Sequence, residues 1–276
     1  MRADTWPATS GPVAIHSDQD RLNQRIYQSP DIARWYKSES LDAAETVALL
    51  RYQPAFAGRD VLDLGVGTGR TTRYLAPIAG RYVCMDASPP MVEYIRRHAP
   101  AIDVRLADMR DLAAFGRGVF DFVLASCNLV DAVSHEDRLQ VFREVWRALR
   151  PAGVFAFSSH NRRLRSALSG PALQRSRNPA TQALHVLRYV RSLVNHARVA
   201  PLRRIERDYA VLNDPGHDYA ALHYYIDRPT QAAQLDAIGF HLLDVFDGDG
   251  RPLASGDDDS ASPSLLYVAA KGAAAG

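Results

Sequence analysis

The sequence predicts a doubly wound α/β fold, in which helices cover both faces of a mostly parallel sheet. Apolar segments of strand length alternate with amphipathic segments of helix length from about residue 60 to residue 160. The first of these strands, at residues 61–64, runs directly into glycines at positions 65, 67 and 69. Acidic side chains follow the next strands at Asp86 and Asp108. Because ligands bind at the carboxyl ends of such strands, these positions predict a binding site there.

Length and composition are those of a globular protein. The chain has 276 residues, of which 47% are hydrophobic and 23% charged, with a formal net charge of +2. No apolar run reaches the roughly 18 residues of a membrane span, and the N-terminus lacks the apolar centre of a signal peptide, so we expect a cytoplasmic protein. Cys84 and Cys127 lie in apolar, strand-like segments, which predicts buried thiols and neither a disulfide nor a metal site.

The N-terminal region predicts an arm followed by helices. Residues 1–25 show no sustained period, and we expect them to be poorly ordered. Residues 26–52 have a helical pattern, in which Ile32, Trp35 and Tyr36 can share one face. A second helix in this region should end before Pro54.

The glycine turn is suited to close approach by a ligand. Glycine has no Cβ and adopts positive φ, and the helix after the turn offers unpaired amide donors. The Gly-x-Gly-x-Gly spacing differs from the dinucleotide fingerprint, and no Gly-Lys-Ser/Thr of a P-loop follows. Asp86 ends a second strand over residues 81–86, where its carboxylate can accept from both hydroxyls of a ribose. Alternatively, the turn and the aspartate are purely structural.

The later elements follow in order. Strands are predicted at residues 103–107, 120–125 and 154–158, with a helix over residues 136–149 before the last of them. An insertion from about residue 159 to residue 221 then interrupts the alternation. It carries an amphipathic helix whose apolar face consists of Leu184, Leu187, Val190 and Val194. The remaining predicted elements are strands at 205–212, 223–226, 240–246 and 264–269 and a helix at 230–238.

The glycine turn, with Asp63 two residues before its first glycine, resembles motif I of the class I S-adenosylmethionine-dependent methyltransferases. The segment of residues 148–154, Ala-Leu-Arg-Pro-Ala-Gly-Val, is also similar to that family. The resemblance implies S-adenosyl-L-methionine as the cofactor, with Asp108 accepting from the adenine amino group and Met109 supplying an amide and an apolar wall. The expected cofactor-binding residues are Asp63, Gly65, Val66, Gly67, Thr68, Gly69, Asp86, Ala87, Met91, Asp108, Met109, Ser126 and Cys127.

The same resemblance implies the fold in more detail. It predicts a Rossmann-like, doubly wound, seven-stranded sheet whose last strand is antiparallel, with N-terminal helices and an inserted cap between strands five and six. The expected organisation is a poorly ordered arm at residues 1–25, a helical cover and cofactor-binding core at 26–160, an arginine-rich cap at 161–222, and the remainder of the core at 223–276.

The acceptor side of the site is less defined by the sequence. Methyl transfer requires alignment of donor and acceptor, and a general base is needed only when the acceptor must lose a proton. His160, His135 and His223 are the candidate catalytic residues, although a lone histidine is more often a hydrogen-bonded structural residue than a base. The candidate substrate-binding residues are Tyr27, Tyr36, Asn128, Asn161, Arg162, Tyr224 and Tyr225.

These features predict a methyltransferase that acts by O- or N-methylation on a small-molecule acceptor, as a monomer or a homodimer. Residues 161–207 contain eleven arginines and one acidic residue, a net charge of +10. Arginines such as Arg162, Arg163 and Arg165 could therefore bind an anionic acceptor. Two alternatives stay open: the basic segment could contact nucleic acid or a membrane-associated acceptor, or the domain could bind cofactor without catalysis. Nucleic acid is disfavoured because Tyr189 is the only aromatic residue in the segment, whereas a weak contact with a membrane surface is compatible with it.

Overall fold

The computed structural model describes residues 15–29 and 40–272. The predicted helix face formed by Ile32, Trp35 and Tyr36 therefore lies outside the described residues, as do residues 1–14 of the predicted arm and residues 273–276.

Eight α-helices occur in the described residues. They are α1 (Asp18–Tyr27), α2 (Ala43–Arg51), α3 (Gln53–Phe56), α4 (Thr72–Leu75), α5 (Pro89–His98), α6 (His135–Ala148), α7 (Pro179–Val199) and α8 (Arg228–Ile238). None of these helices combines the length and the apolar run that crossing a bilayer requires.

Ten strands in the described residues form one sheet. They are β1 (Asp60–Leu64), β2 (Arg81–Asp86), β3 (Asp103–Leu106), β4 (Phe120–Ala125), β5 (Leu149–Asn161), β6 (Arg204–Ile205), β7 (Tyr209–Leu212), β8 (His223–Ile226), β9 (Phe240–Phe246) and β10 (Ser264–Lys271).

Seven of the strands form the predicted central sheet. Their order is β3-β2-β1-β4-β5-β10-β9, and β10 pairs antiparallel with both of its neighbours. The helices α2 to α5 contribute to the apolar core on one face, and α6 and α8 to the core on the other. Because both faces are covered, the central strands are apolar along nearly their whole length. The predicted Rossmann-like sheet with an antiparallel last strand is confirmed.

The insertion adds three strands to this sheet. β8 pairs in parallel with the end of β5, where His160 lies opposite Tyr225, while β7 and β6 continue outward as antiparallel neighbours. His160 also pairs with Ser264 of β10, so β8 must occupy the other edge of β5, beyond the end of β4. This is possible because β5 extends to residue 161, past the predicted end at residue 158. The predicted boundary between the cap and the remainder of the core, after residue 222, thus falls within this extension of the sheet: β6 and β7 lie before it and β8 after it.

Helix α1 begins inside the region that was predicted to be a poorly ordered arm. Ser17 caps its first turn by accepting from the amide of Asp20. The side of the helix that faces the protein is polar: Gln19 donates to the carbonyls of Asp131 and Leu222, at 3.2 and 3.3 Å. Asn23 donates to the carbonyl of Leu222 at 2.7 Å and accepts from its amide at 3.0 Å. The prediction is wrong for residues 18–25 because buried hydrogen bonds, rather than an apolar stripe, hold this helix.

Replacing Asn23 tests this account of α1. Asn23→Ala removes the partner of the buried Leu222 amide and of the Ala132 carbonyl, and leaves the Leu222 carbonyl with Gln19 alone, at a cost of about 1–3 kcal/mol. Arg21→Ala, on the exposed side of the same helix, should cost less than about 0.5 kcal/mol. Hydrogen exchange of residues 18–27 and denaturant unfolding measure both variants. Equal protection of α1 in the two variants would contradict the account.

Candidate active site

A cavity of about 210 Å³ lies between α1 and the carboxyl ends of β1, β2 and β4. Of the thirteen residues predicted to bind the cofactor, eleven line this cavity: Gly65, Val66, Gly67, Thr68, Asp86, Ala87, Met91, Asp108, Met109, Ser126 and Cys127. Residues that are far apart in sequence therefore meet at one edge of the sheet, where an open α/β sheet binds its ligand.

The three glycines of the turn have positive φ values of 60°, 55° and 83°. A Cβ at Gly65 would lie 2.5 Å from the side chain of Leu129, and one at Gly69 would lie 2.8 Å from that of Ile95, so a side chain at either position would displace these residues as well as strain the backbone. A Cβ at Gly67 would meet no atom within 4 Å. Gly67 thus presents bare backbone to the cavity, which leaves room for a ligand to approach.

Asp86 connects the turn to the next helix. One of its carboxylate oxygens accepts from the amide of Gly67 at 2.9 Å, and the other accepts from the amide of Ser88 at 2.8 Å. Burial raises the pKa of Asp86, and the backbone hydrogen bonds oppose that rise. Each carboxylate oxygen retains acceptor capacity, so hydroxyl donors from a ribose would stabilise this partly desolvated charge.

Asp108 lies beside an ion-pair network that fixes α1 to the core. Its carboxylate accepts from Arg110 at 2.7 Å, and the same guanidinium contacts Asp20 of α1 at 2.6 Å and Asp137 of α6 at 2.9 Å. Arg110 and Asp20 are both buried. The guanidinium is therefore occupied by carboxylates, and Asp108 lines the cavity in an orientation fixed by Arg110.

Asp63 does not reach the cavity, contrary to its predicted role in cofactor binding. It is buried beneath the glycine turn, where it accepts hydrogen bonds from the hydroxyls of Thr71 and Tyr82, the latter at 2.6 Å. Burial raises its pKa to about 6, although these hydrogen bonds act in the opposite direction. Thr71 does line the cavity, so Asp63 positions the chain after the turn. Gly69 is likewise outside the cavity lining.

The raised pKa of Asp63 predicts a pH-dependent difference in stability. Between pH 3.8, the ordinary pKa of an aspartate, and about pH 6, the folded protein binds a proton at Asp63 and the unfolded chain does not. The contribution of Asp63 to stability therefore falls as the pH rises through this window, by about 3 kcal/mol in total. Asp63→Asn keeps an acceptor for Thr71 and Tyr82 but has no proton to lose. Its unfolding free energy, relative to the wild type, should rise by that amount between about pH 4 and pH 7, and a constant difference would contradict the prediction.

Cys127 is exposed at the cavity and is not the buried thiol that the sequence predicts. It follows the end of β4 and has a positive φ of 54°. Arg70 donates to its sulfur at 2.8 Å, to Ser126 at 3.1 Å and to Glu45 of α2. Cys84, by contrast, is buried as predicted.

His223 is buried behind Tyr27 and does not itself line the cavity. Tyr27 lines the cavity, and its hydroxyl lies 3.2 Å from Nε2 of His223. Nδ1 of His223 lies 2.8 Å from Asp214, which also accepts from Tyr225 at 2.8 Å. Burial opposes a charge on His223, but the Asp214 carboxylate outweighs this effect and raises its pKa. Burial likewise opposes the charge on Asp214, whose pKa His223 and His160 nevertheless lower.

A second histidine lies behind Asn128. Nδ1 of His160 is 2.8 Å from Asp131, and its Nε2 is 3.3 Å from the side-chain nitrogen of Asn128, which lines the cavity. These distances fit a tautomer that donates from Nδ1 and accepts at Nε2. Among the described residues, Oδ1 of Asn128 has no hydrogen-bond partner. Asn128 therefore offers a buried acceptor beside the cavity.

The structure does not bring the other predicted acceptor residues to this cavity. His135 contacts Tyr224 at 2.8 Å and stacks on Tyr209 away from it. Tyr225 is buried behind His160. Asn161 donates to the backbone of Asp259 and Ser262, and Arg162 to the backbone of Glu206 and Arg207. Tyr36 lies outside the described residues.

Several residues at the cavity were not predicted. Asp20, Asn23 and Gln24 of α1 line it, as do Arg70 and Arg110. The helix start at Ser17, with acidic residues following, was the available signal for α1. Apart from Asp108, which is two residues from Arg110, no local pattern indicates the carboxylate partners of Arg70 and Arg110, because these lie 25 to 90 residues away.

The sheet order and the glycine turn over Asp86 define a Rossmann-like domain that binds a nucleoside-containing cofactor. The half-buried carboxylate of Asp86 and the wall formed by Met91 and Met109 fit the adenosine part of such a molecule, and the open space at Gly67 leaves room for the rest of it. Comparisons with known proteins identify the particular class.

Residues 61–153 match a methyltransferase-domain family. A probable S-adenosylmethionine-dependent methyltransferase of Mycolicibacterium smegmatis is 32% identical over 106 residues, which cover 38% of this chain and 40% of that protein. A ubiquinone biosynthesis O-methyltransferase of Xanthomonas campestris is 29% identical over 140 residues, which cover 47% of this chain and 57% of that protein. The chain thus spans about half the length of these relatives.

The overall fold has a counterpart of nearly full length. The 1,6-didemethyltoxoflavin-N1-methyltransferase of Burkholderia thailandensis, solved with 1,6-didemethyltoxoflavin and S-adenosylhomocysteine, superposes with a TM-score of 0.59. The match covers 96% of this chain and 94% of that one at 16% identity, so it shows a shared fold. Taken with the matched family, the sheet and the cavity, the chain carries a class I S-adenosylmethionine-dependent methyltransferase domain.

Proposed function

We propose that the protein transfers a methyl group from S-adenosyl-L-methionine to an oxygen or nitrogen atom of a small-molecule acceptor. The observation that carries this proposal is the meeting of the glycine turn, Asp86 and Asp108 at one cavity that also contains Tyr27 and Asn128. The O-methyltransferase relative and the N1-methyltransferase of similar fold support the two kinds of acceptor atom.

In this proposal the cofactor-binding residues keep their predicted roles, except for Asp63 and Gly69. Asp86 accepts from the ribose hydroxyls, Asp108 and Met109 contact the adenine, and Gly65 and Gly67 of the turn contact the amino acid part, for which the open space at Gly67 leaves room. When bound, the cofactor supplies an activated methyl group for in-line displacement. Helix α1 closes the cavity and excludes water from it.

The acceptor that this site favours is neutral and carries an ionisable O–H or N–H. Arg70 and Arg110 at the cavity are already paired with carboxylates. In the cap, Arg163 and Arg165 lie near Asp259 and Asp258, and Arg162 binds backbone carbonyls. None of these three cap arginines lines the cavity, so the described residues give no support to the anionic acceptor that the sequence suggested.

We assign removal of the acceptor proton to Tyr27 and His223. The Tyr27 oxygen takes the proton from the acceptor as its own proton moves to Nε2 of His223, and Asp214 stabilises the resulting imidazolium. His160, held by Asp131, orients Asn128 toward the acceptor.

Cofactor binding and turnover test the proposal separately. Calorimetry should detect binding of S-adenosylhomocysteine, and mass spectrometry should detect a gain of one methyl group on a phenol or heterocyclic amine from a panel of acceptors. Tight binding without turnover on any acceptor would favour the non-catalytic alternative. Absence of binding would overturn the assignment of the cavity.

A further inference from the structure

Helix α7 in the insertion exposes its apolar side. Among the described residues, sixteen large hydrophobic side chains are exposed, and ten of them lie in residues 161–207. Six of the ten are on α7: Leu184, Val186, Leu187, Val190, Leu193 and Val194. Single exposed aliphatic residues are common on proteins, but a continuous row along one helix marks an interaction surface.

The side of α7 that faces the protein is mostly polar, with only Val199, at the end of the helix, buried in an apolar cluster. This is the reverse of an ordinary surface helix. Ser192 is buried there, and Asn195 donates to the carbonyl of Asp218 at 2.9 Å. His196 packs edge-to-face against Tyr219 at 5.3 Å. The helix is therefore held by these polar contacts and by Val199, while six of its large apolar residues stay on the outside. Within the described part of the chain nothing covers Leu187, which is 67% exposed, or Val194, which is 63% exposed.

The positive charge around the exposed apolar residues of α7 indicates which kind of partner binds them. The segment of residues 161–207 carries a net charge of +10. Arg188 and Arg191 border the apolar row and reach toward Asp218, at 3.4 and 3.6 Å. Arg198 and Arg204 are exposed and have no ion pair among the described residues. An aliphatic row bordered by arginines matches a bilayer interface that carries anionic headgroups.

Two other occupants fit less well. A second copy of the chain would bring one +10 segment against another, so like charges would repel across the contact. RNA would satisfy the arginines but would leave the aliphatic row without a partner, and the segment offers only Tyr189 for stacking on bases.

We propose that α7 and its flanking arginines dock the protein onto a bilayer that contains anionic phospholipid. The apolar row, defined by Leu184, Val186, Leu187, Val190, Leu193 and Val194, inserts among the acyl chains while Arg198 and Arg204 contact headgroup phosphates. This inference does not rest on methyl transfer, because the surface lies outside the cavity.

Flotation of the full chain with vesicles tests the proposal. The protein should float with vesicles of phosphatidylcholine containing about one third phosphatidylglycerol, and should bind at least about tenfold more weakly to phosphatidylcholine alone. Adding about 0.5 M salt should release most of it. Hydrogen exchange of the wild-type protein should show protection of residues 183–198 by the anionic vesicles. Absence of flotation with these vesicles at low salt would overturn the proposal.

Three variants separate the apolar row from the charge. Leu187→Gln with Val194→Gln should lower binding by about tenfold or more without changing the charge, whereas Leu50→Gln, at a site on α2 that is 71% exposed, should leave it unchanged. Arg198→Gln with Arg204→Gln should lower binding to the anionic vesicles only. All of these positions are exposed, so folding should be retained. Light scattering that shows a dimer disrupted by the Leu187 and Val194 variant, or salt-sensitive retention on RNA that the variant does not change, would assign the surface to another partner and overturn the proposal.

Discussion

Asp86→Ala should raise the dissociation constant of S-adenosylhomocysteine by at least about 100-fold. The carboxylate is half-buried and already bound to the amides of Gly67 and Ser88, so it is held where two ribose hydroxyls can reach it. Hydrogen bonds to a charged group contribute about 1.5–3 kcal/mol each, and losing two of them corresponds to about 3 kcal/mol or more. Calorimetric titration measures the change directly.

Two further variants make the Asp86 result interpretable. Asp86→Asn keeps one carbonyl oxygen but turns an N–H toward one of the two amides, so its affinity should fall between those of the wild type and Asp86→Ala. Asp103→Asn lies at the amino end of the neighbouring strand and should bind as the wild type does. An unchanged affinity in a folded Asp86→Ala protein would exclude Asp86 as a cofactor ligand.

The central sheet could be predicted from sequence because its strands are buried on both faces. Such strands are continuously apolar and end in glycine or acidic residues, as residues 61–69 and 81–86 show. The cofactor side of the site follows from the same property, since each strand end places a residue at one edge of the sheet. Eleven of thirteen predicted residues line the cavity for this reason.

The elements that are held by polar contacts could not be predicted from the sequence patterns. Helix α1 attaches through Gln19, Asn23 and Asp20, which look like solvent-exposed residues until their partners around residues 110, 131 and 222 are known. The apolar face of α7 was detected, but its exposure could not be predicted, because periodicity identifies a face without identifying its partner. A motif position likewise does not identify the partner of a side chain. The position of Asp63 predicted a contact with the cofactor, yet its carboxylate contacts Thr71 and Tyr82.

The acceptor side depends on contacts between the N-terminal helix and the insertion. Tyr27 and His223 are 196 residues apart, and only the fold brings their polar atoms to 3.2 Å. The sequence therefore identified both residues as candidates but could not predict that they act as a pair. His135 was an equally good candidate by position, and it lies on the other side of β8, stacked on Tyr209.

Tyr27→Phe and His223→Gln should each lower kcat by about 100-fold or more for an acceptor that must lose a proton. Affinity for S-adenosylhomocysteine should change little, because neither side chain belongs to the proposed adenosine pocket. Combining the two substitutions should cost hardly more than either alone, since both interrupt one proton path. His135→Gln, which lies outside the cavity, should keep kcat within about twofold. If His160→Gln abolishes turnover while Tyr27→Phe does not, the proton instead leaves through His160 and Asp131.

The pH dependence of kcat separates a proton path from a purely structural role for these residues. His223 accepts a proton only when it is neutral, and Asp214 raises its pKa above the 6.5 that is usual for histidine. Wild-type kcat should therefore rise with pH through that raised pKa and level off above it. Asp214→Asn removes the charge that raises the pKa of His223, so the increase of kcat with pH should occur at lower pH in this variant. A variant that merely loosened the site would instead lower kcat equally at every pH. An increase that stays at the same pH in Asp214→Asn would show that His223 is not the group that takes the proton.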